Sequence, residues 1–149
     1  MSSRYYEDFE LGEVIVTPGV TLTESSIIDF AFTFDPQRFH IDTEAAEKSP
    51  YGGLIASGFQ TLTYAFRMFF HLGLINDTGF GSPGIDELRW TEPVRPGDTI
   101  RTKVTVLEKR ESHSRPDRGI IRLGFNVCNQ NDREVMTFTT VAFIARKRS

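Results

Sequence analysis

Residues 57–73, SGFQTLTYAFRMFFHLG, constrain this chain more than any other stretch. Phe59, Leu62, Ala65, Phe66, Phe69 and Phe70 recur at helical spacing and leave little purely polar face. A helix that is apolar nearly all round is a buried helix. In a chain of 149 residues something must wrap it, and a curved β-sheet is the economical wrapper. Gln60, Thr61, Thr63, Arg67 and His71 lie within the same apolar region and argue against a membrane span.

The second half of the sequence supplies such a sheet. GIDELRWTEPV (84–94) reads as a strand ended by the turn RPGD (95–98). TIRTKVTVLEKRES alternates Ile100, Thr102, Val104 and Val106 against Arg101, Lys103 and Thr105. GIIRLGFNVCNQ repeats the alternation, and EVMTFTTVAFIARK follows the turn NQNDR. The first half differs. EVIVTPGVTLT (13–23) reads as a strand broken at Pro18-Gly19, and Thr23 is placed to cap a helix over ESSIIDFAFTF. Pro36 ends that helix and pushes Asp35 out of the α region, while Asp42 caps a short turn over TEAAEK. The order of strand, helices, then strands predicts an α+β fold with about five strands around one central helix. Repeats, low-complexity segments and linkers are absent, so residues 1–149 read as one domain. A domain of this size buries roughly 70% of its unfolded surface and needs neither metal nor disulfide to fold.

Composition narrows the function. A single cysteine, Cys128, excludes an internal disulfide and multi-cysteine zinc sites. The net charge of −3 argues against nucleic-acid binding. Lys109, Arg110, Arg115, Arg118, Arg146, Lys147 and Arg148 cluster late, either as solvated surface or as a patch for a phosphorylated ligand. The start of the chain, MSSRYYEDFELGE, has neither an apolar core nor a cleavage signature, which points to a cytoplasmic protein.

The chemistry concentrates in FDPQRFHID (34–42). Asp35 and His40, five apart in a proline-containing loop, can bend toward one point, where carboxylate and imidazole together would hold a water and move its proton. The competing reading is a hydrogen-bonded polar turn. The sequence GLIASGFQT, opening the apolar helix, adds backbone N–H groups suited to an oxyanion, with Gly58 offering no side chain to block a ligand. Ser57 reads either as an N-cap or as a site hydroxyl. At a helix C-terminus and partly buried, Asp35 is expected to have a raised pKa. His71 is assigned to the end of the apolar helix and His113 to an exposed loop, neither with a catalytic role. A Ser-His-Asp triad lacks its Gly-x-Ser-x-Gly elbow.

FDPQRFHID, YGGLIASGFQT and DELRWTEPVRPGDTI together resemble the MaoC-like dehydratases, which include the (R)-specific enoyl-CoA hydratases, over about residues 8–145. The resemblance implies a hot-dog fold, in which a curved antiparallel sheet wraps a long central helix. It implies reversible hydration of a 2-enoyl thioester, with acyl-CoA as substrate and no cofactor or metal. Asp35 and His40 would be catalytic, and Gly58 would supply the oxyanion N–H. Thr63 aligns best with a hydroxyl residue that the family often carries further into the helix, with Ser57 as the alternative. The usual loop has Asn-Pro between its Asp and His; here Pro36, Gln37 and Arg38 fill that space. A homodimer or higher homo-oligomer is expected from the same resemblance and from the edges such a sheet leaves open. Two alternatives remain: a hot-dog thioesterase, disfavoured because residues 54–75 contain no Asp or Glu, and a non-catalytic acyl-CoA binding module.

Overall fold

The computed structural model describes residues 2–148. Its strands are β1 (Val14–Val16), β2 (Val20–Thr21), β3 (Ile85–Trp90), β4 (Thr99–Glu111), β5 (Arg118–Cys128) and β6 (Glu134–Ala145). Its α-helices are α1 (Glu24–Phe34), α2 (Arg38–Ile41), α3 (Thr43–Glu47) and α4 (Gly58–His71). The sheet runs β1-β4-β5-β6-β3, every pairing antiparallel, with β2 also on β4. The expected α+β hot-dog architecture is present: an antiparallel sheet against one long helix.

The elements form for local reasons. Along β5 and β6 the side chains alternate between buried and half-buried, the period-2 signature of a sheet with one face on a core. The Pro18-Gly19 break separates β1 from the two-residue β2, which raises the strand count from the expected five to six. Thr23 caps α1 by accepting from Ser26 N, and Asp42 caps α3 by accepting from Ala45 N. The core joins helix to sheet through aromatics. Phe125 and Phe138, opposite each other on β5 and β6, stack at 4.4 Å, and Phe66 of α4 lies 5.6 and 5.3 Å from them.

Helix α4 departs from the expectation of all-round burial. Gln60, Thr61, Ala65 and Phe69 are buried, but Phe59 and Phe70 keep 54% and 45% of their surface exposed, and Thr63 and Arg67 face solvent. The sheet covers one face of the helix, and the aromatics of the other face are left uncovered within a single chain. No α-helix among the described residues is long and apolar enough to cross a membrane.

One irregularity matters for the site. In β3, Asp86 pairs with Thr139 and Arg89 with Thr137, so Glu87 and Leu88 stand opposite the single residue between them on β6. This is a β-bulge, and Glu87 adopts φ 52 within it. The extra residue reverses the side-chain alternation beyond it. Trp90 comes to pair with the buried Met136, on the face that carries the core.

Candidate active site

The helix break and the short helix behind it build the site. Asp35 caps α1 at φ −155, ψ 70, its N–H still bonded to Ala31 O at 2.8 Å. The next stretch is not all loop: Gln37 starts the single turn of α2, which carries His40 inward to 4% exposure. Segment 54–57 runs alongside, pinned by Ile55 N to Phe39 O (3.1 Å) and Ala56 N to Val94 O (2.8 Å).

Asp35 and His40 converge. His40 Nδ1 lies 2.7 Å from Ile55 O. A carbonyl only accepts, so Nδ1 carries the proton and Nε2 is the nitrogen left to exchange one. Nε2 points at Asp35 Oδ2, 3.3 Å away. Phe39 supports the imidazole at 4.6 Å and itself stacks on Tyr51.

The N-cap reading of Ser57 holds, and the same hydroxyl also bonds the carboxylate of Asp35. It caps α4, accepting from Phe59 N at 3.2 Å, and its hydroxyl donates to Asp35 Oδ2 at 2.7 Å. Gln37 Nε2 donates to the other carboxylate oxygen, Oδ1, at 2.8 Å. The consequence reverses the expectation for Asp35. Burial does push its carboxyl upward, but the hydrogen bonds from Gln37 and Ser57, with the charge of His40, outweigh it and hold the pKa below the ordinary carboxylate value. Asp35 is a stabilised carboxylate, not an acid poised near neutrality.

Asp35, Gln37 and His40 face a cavity of about 460 Å³, whose lining also includes Gly58, Phe59, Thr61, Trp90 and the segment Thr91–Val94; Ser57 is fully buried behind it and does not line it. Gly58 is the first residue of α4, so its N–H has no acceptor within the helix. Thr63 does not join them. It is exposed, and its hydroxyl bonds Gln60 O at 3.1 Å. The hydroxyl residue of α4 that lines the cavity is Thr61, three residues after Gly58 and hence on the same helix face.

Sequence reasoning missed the roles of Gln37, Thr61 and Trp90. Helical spacing from Gly58 was a signal for Thr61, and the unusual middle of the loop was one for Gln37. Trp90 depends on a bulge that strand periodicity does not show. Gly58 was read as leaving room for a ligand, but the room belongs to Trp90. A Cβ built on Gly58 would lie 2.5 Å from indole Nε1 and 2.7 Å from Cζ2.

Three of the seven late basic residues form ion pairs. Arg146 meets Glu7 and Glu111, Lys147 meets Asp8, and Arg118 meets Asp117. That favours a solvated, ion-paired surface over an anion patch. Among the described residues, no group of three or more His, Cys, Asp or Glu side chains could hold a metal ion.

Known proteins share this fold. The family described as MaoC like domain matches residues 8–123. The crystal structure of the MaoC-like dehydratase from Rhodospirillum rubrum superposes with a TM-score of 0.91 at 34% identity, covering 99% of this chain and 100% of that one. The uncharacterized protein YdeM of Bacillus subtilis is 33% identical over 87% of this chain and 90% of its own length. The 3-hydroxyacyl-thioester dehydratase Z of Mycobacterium tuberculosis is 32% identical over 59% of this chain and 60% of its own length.

Proposed function

The chain belongs to the MaoC-like hydratase/dehydratase family, and from that membership we propose that it adds water reversibly across the double bond of a 2-enoyl-CoA thioester. The observation that carries this reading is the convergence of Asp35, His40 and Gly58 on one cavity, with 3.3 Å between the carboxylate and the imidazole.

The geometry supports a division of labour between the two side chains. Asp35, stabilised as a carboxylate, accepts a proton from the bound water as the water oxygen attacks C3. His40, its Nδ1–H committed to Ile55 O, works through Nε2 and as imidazolium gives its Nε2 proton to C2. The water loses one O–H bond; a C3–O and a C2–H bond form and the π bond is consumed. The pair then holds a neutral carboxylic acid beside a neutral imidazole. Proton transfer from Asp35 to Nε2 across their contact restores carboxylate and imidazolium. Positioned proton transfer of this kind is worth about 10²–10⁴-fold in rate. The Gly58 N–H, at the positive end of α4, stabilises the negative charge that develops on the thioester oxygen. Apart from the CoA that carries the acyl group, this chemistry needs no cofactor.

We read the working unit as a homodimer. Strand β3 is the last strand of the sheet, with Ile85 exposed on it, and Phe70 of α4 is exposed as well. An open edge with apolar side chains is the kind of surface that pairs with a second copy. The lone cysteine suits a reducing cytoplasm.

The test is a hydration assay on crotonyl-CoA and longer enoyl-CoAs. Loss of enoyl-thioester absorbance without thiol release is the expected result. Thiol release with the double bond intact would replace this reading with a thioesterase, and binding without either would leave a non-catalytic module.

A further inference from the structure

We propose that Trp90 is a positioning and specificity-determining residue of this site: it fixes the first turn of α4 and limits the substituents tolerated beside the thioester carbonyl. The inference rests on the hydration reading for the role of the Gly58 N–H. It stands on three independent observations. First, indole Nε1 donates to Gly58 O at 3.0 Å, tying the β3 edge to the start of α4. Second, the ring lies so close to Gly58 Cα that no side chain fits there, so Trp90 in this place requires a glycine at position 58. Third, the bulge at Glu87–Leu88 is what turns Trp90 toward the helix; with unbroken alternation Arg89 would take that place.

Trp90 is only half buried, with 47% of its surface exposed, and it lines the same cavity as Asp35 and His40. Phe59 meets it edge-on at 6.0 Å, so the two rings form an aromatic wall beside the oxyanion donor. A thioester oxygen held at Gly58 N–H brings C2 and its substituents against this wall. A flat ring accommodates a hydrogen at C2 and resists a methyl. One methyl group in an apolar site discriminates by about 10–200-fold, so the ring is sufficient to set selectivity.

Trp90 is the only tryptophan in the chain, so its fluorescence reports the site without turnover. Titration of the full chain with butyryl-CoA, a saturated and unreactive thioester, is expected to change its emission saturably, with crotonyl-CoA competing. In activity assays, Trp90→Phe keeps a ring and loses the N–H; kcat on crotonyl-CoA falls while KM stays near the original. Trp90→Ala raises kcat/KM for a 2-methyl-branched enoyl-CoA relative to crotonyl-CoA by about tenfold or more.

A stability cycle supplies an arm independent of activity. Gly58→Ala lowers Tm strongly in the original chain and much less in a Trp90→Ala background. Hydration without a fluorescence change, with selectivity unaltered in Trp90→Ala, overturns this proposal alone. So does an equal cost of Gly58→Ala in both backgrounds. A saturable fluorescence change without hydration supports the placement of Trp90 and contradicts the hydration reading. Neither hydration nor a fluorescence change overturns both.

Discussion

Asp35 Oδ2 accepts from the Ser57 hydroxyl at 2.7 Å and lies 3.3 Å from Nε2 of His40. Residues from the end of α1, the turn of α2 and the cap of α4 are thereby joined at one oxygen atom. The carboxylate is held by the same contacts that align the imidazole.

The pH dependence follows from this saturation. Burial raises the Asp35 pKa, but the bonds from Gln37 and Ser57 and the His40 charge bring it below the ordinary value of about 3.9. A depressed folded-state pKa stabilises the fold above the unfolded pKa, and that stabilisation is lost as pH falls through the folded value. Gln37→Ala removes one lowering contact. The acid limb of its kcat/KM profile moves to higher pH, while a surface control such as Glu44→Gln leaves the limb in place. Profiles of both variants on crotonyl-CoA, with Tm followed on the acid side, check this.

Ser57→Ala removes a cap and an Asp35 donor together. Loss of the cap costs about 1 kcal/mol, which for a chain this size lowers Tm by roughly 2–4 °C. The acid limb rises as it does for Gln37→Ala. A shift in Tm with an unchanged pH profile would mean that Ser57 only caps α4.

The bulge in β3 can be tested through Glu87, which holds φ 52. Its left-handed backbone costs a non-glycine residue about 1–2 kcal/mol, and a β-branched side chain tolerates it worst. Glu87→Val therefore lowers Tm and disturbs Trp90 emission, whereas Glu87→Gly leaves both close to the original or raises Tm. Thermal melts read alongside tryptophan fluorescence distinguish these outcomes.

The aromatic seam between α4 and the sheet should carry a large share of the stability. Phe138 stacks on Phe125, packs against Phe66, and is 2% exposed. Phe138→Ala is expected to cost about 3–5 kcal/mol, against less than about 0.5 kcal/mol for the solvent-facing Arg67→Lys. Chemical denaturation of the two variants checks it.

Much of this was legible in the sequence because the signals were local. The alternation along β5 and β6, the caps at Thr23 and Asp42 and the break at Pro18-Gly19 each act within a few residues. Asp35 and His40 were visible as candidates because five residues around a proline bring their side chains within reach. Other features depend on geometry that no window of sequence contains. The pKa of Asp35 moved opposite to expectation because Gln37 and Ser57 were not foreseen as donors to it; one lies two residues away and the other 22. Trp90 was hidden because a bulge reversed its face. Thr63 was favoured by family alignment, whereas helical spacing from Gly58 favours Thr61. The uncovered aromatics of α4 read as core residues because hydropathy does not distinguish a core from an exposed apolar surface.

In the proposed mechanism Asp35 and His40 act together on one water. The most direct measurement is kcat for crotonyl-CoA hydration by Asp35→Asn and by His40→Gln, each shown by circular dichroism and Tm to be folded. Both are expected to lose about 10²–10⁴-fold. Full activity in either folded variant would contradict the account.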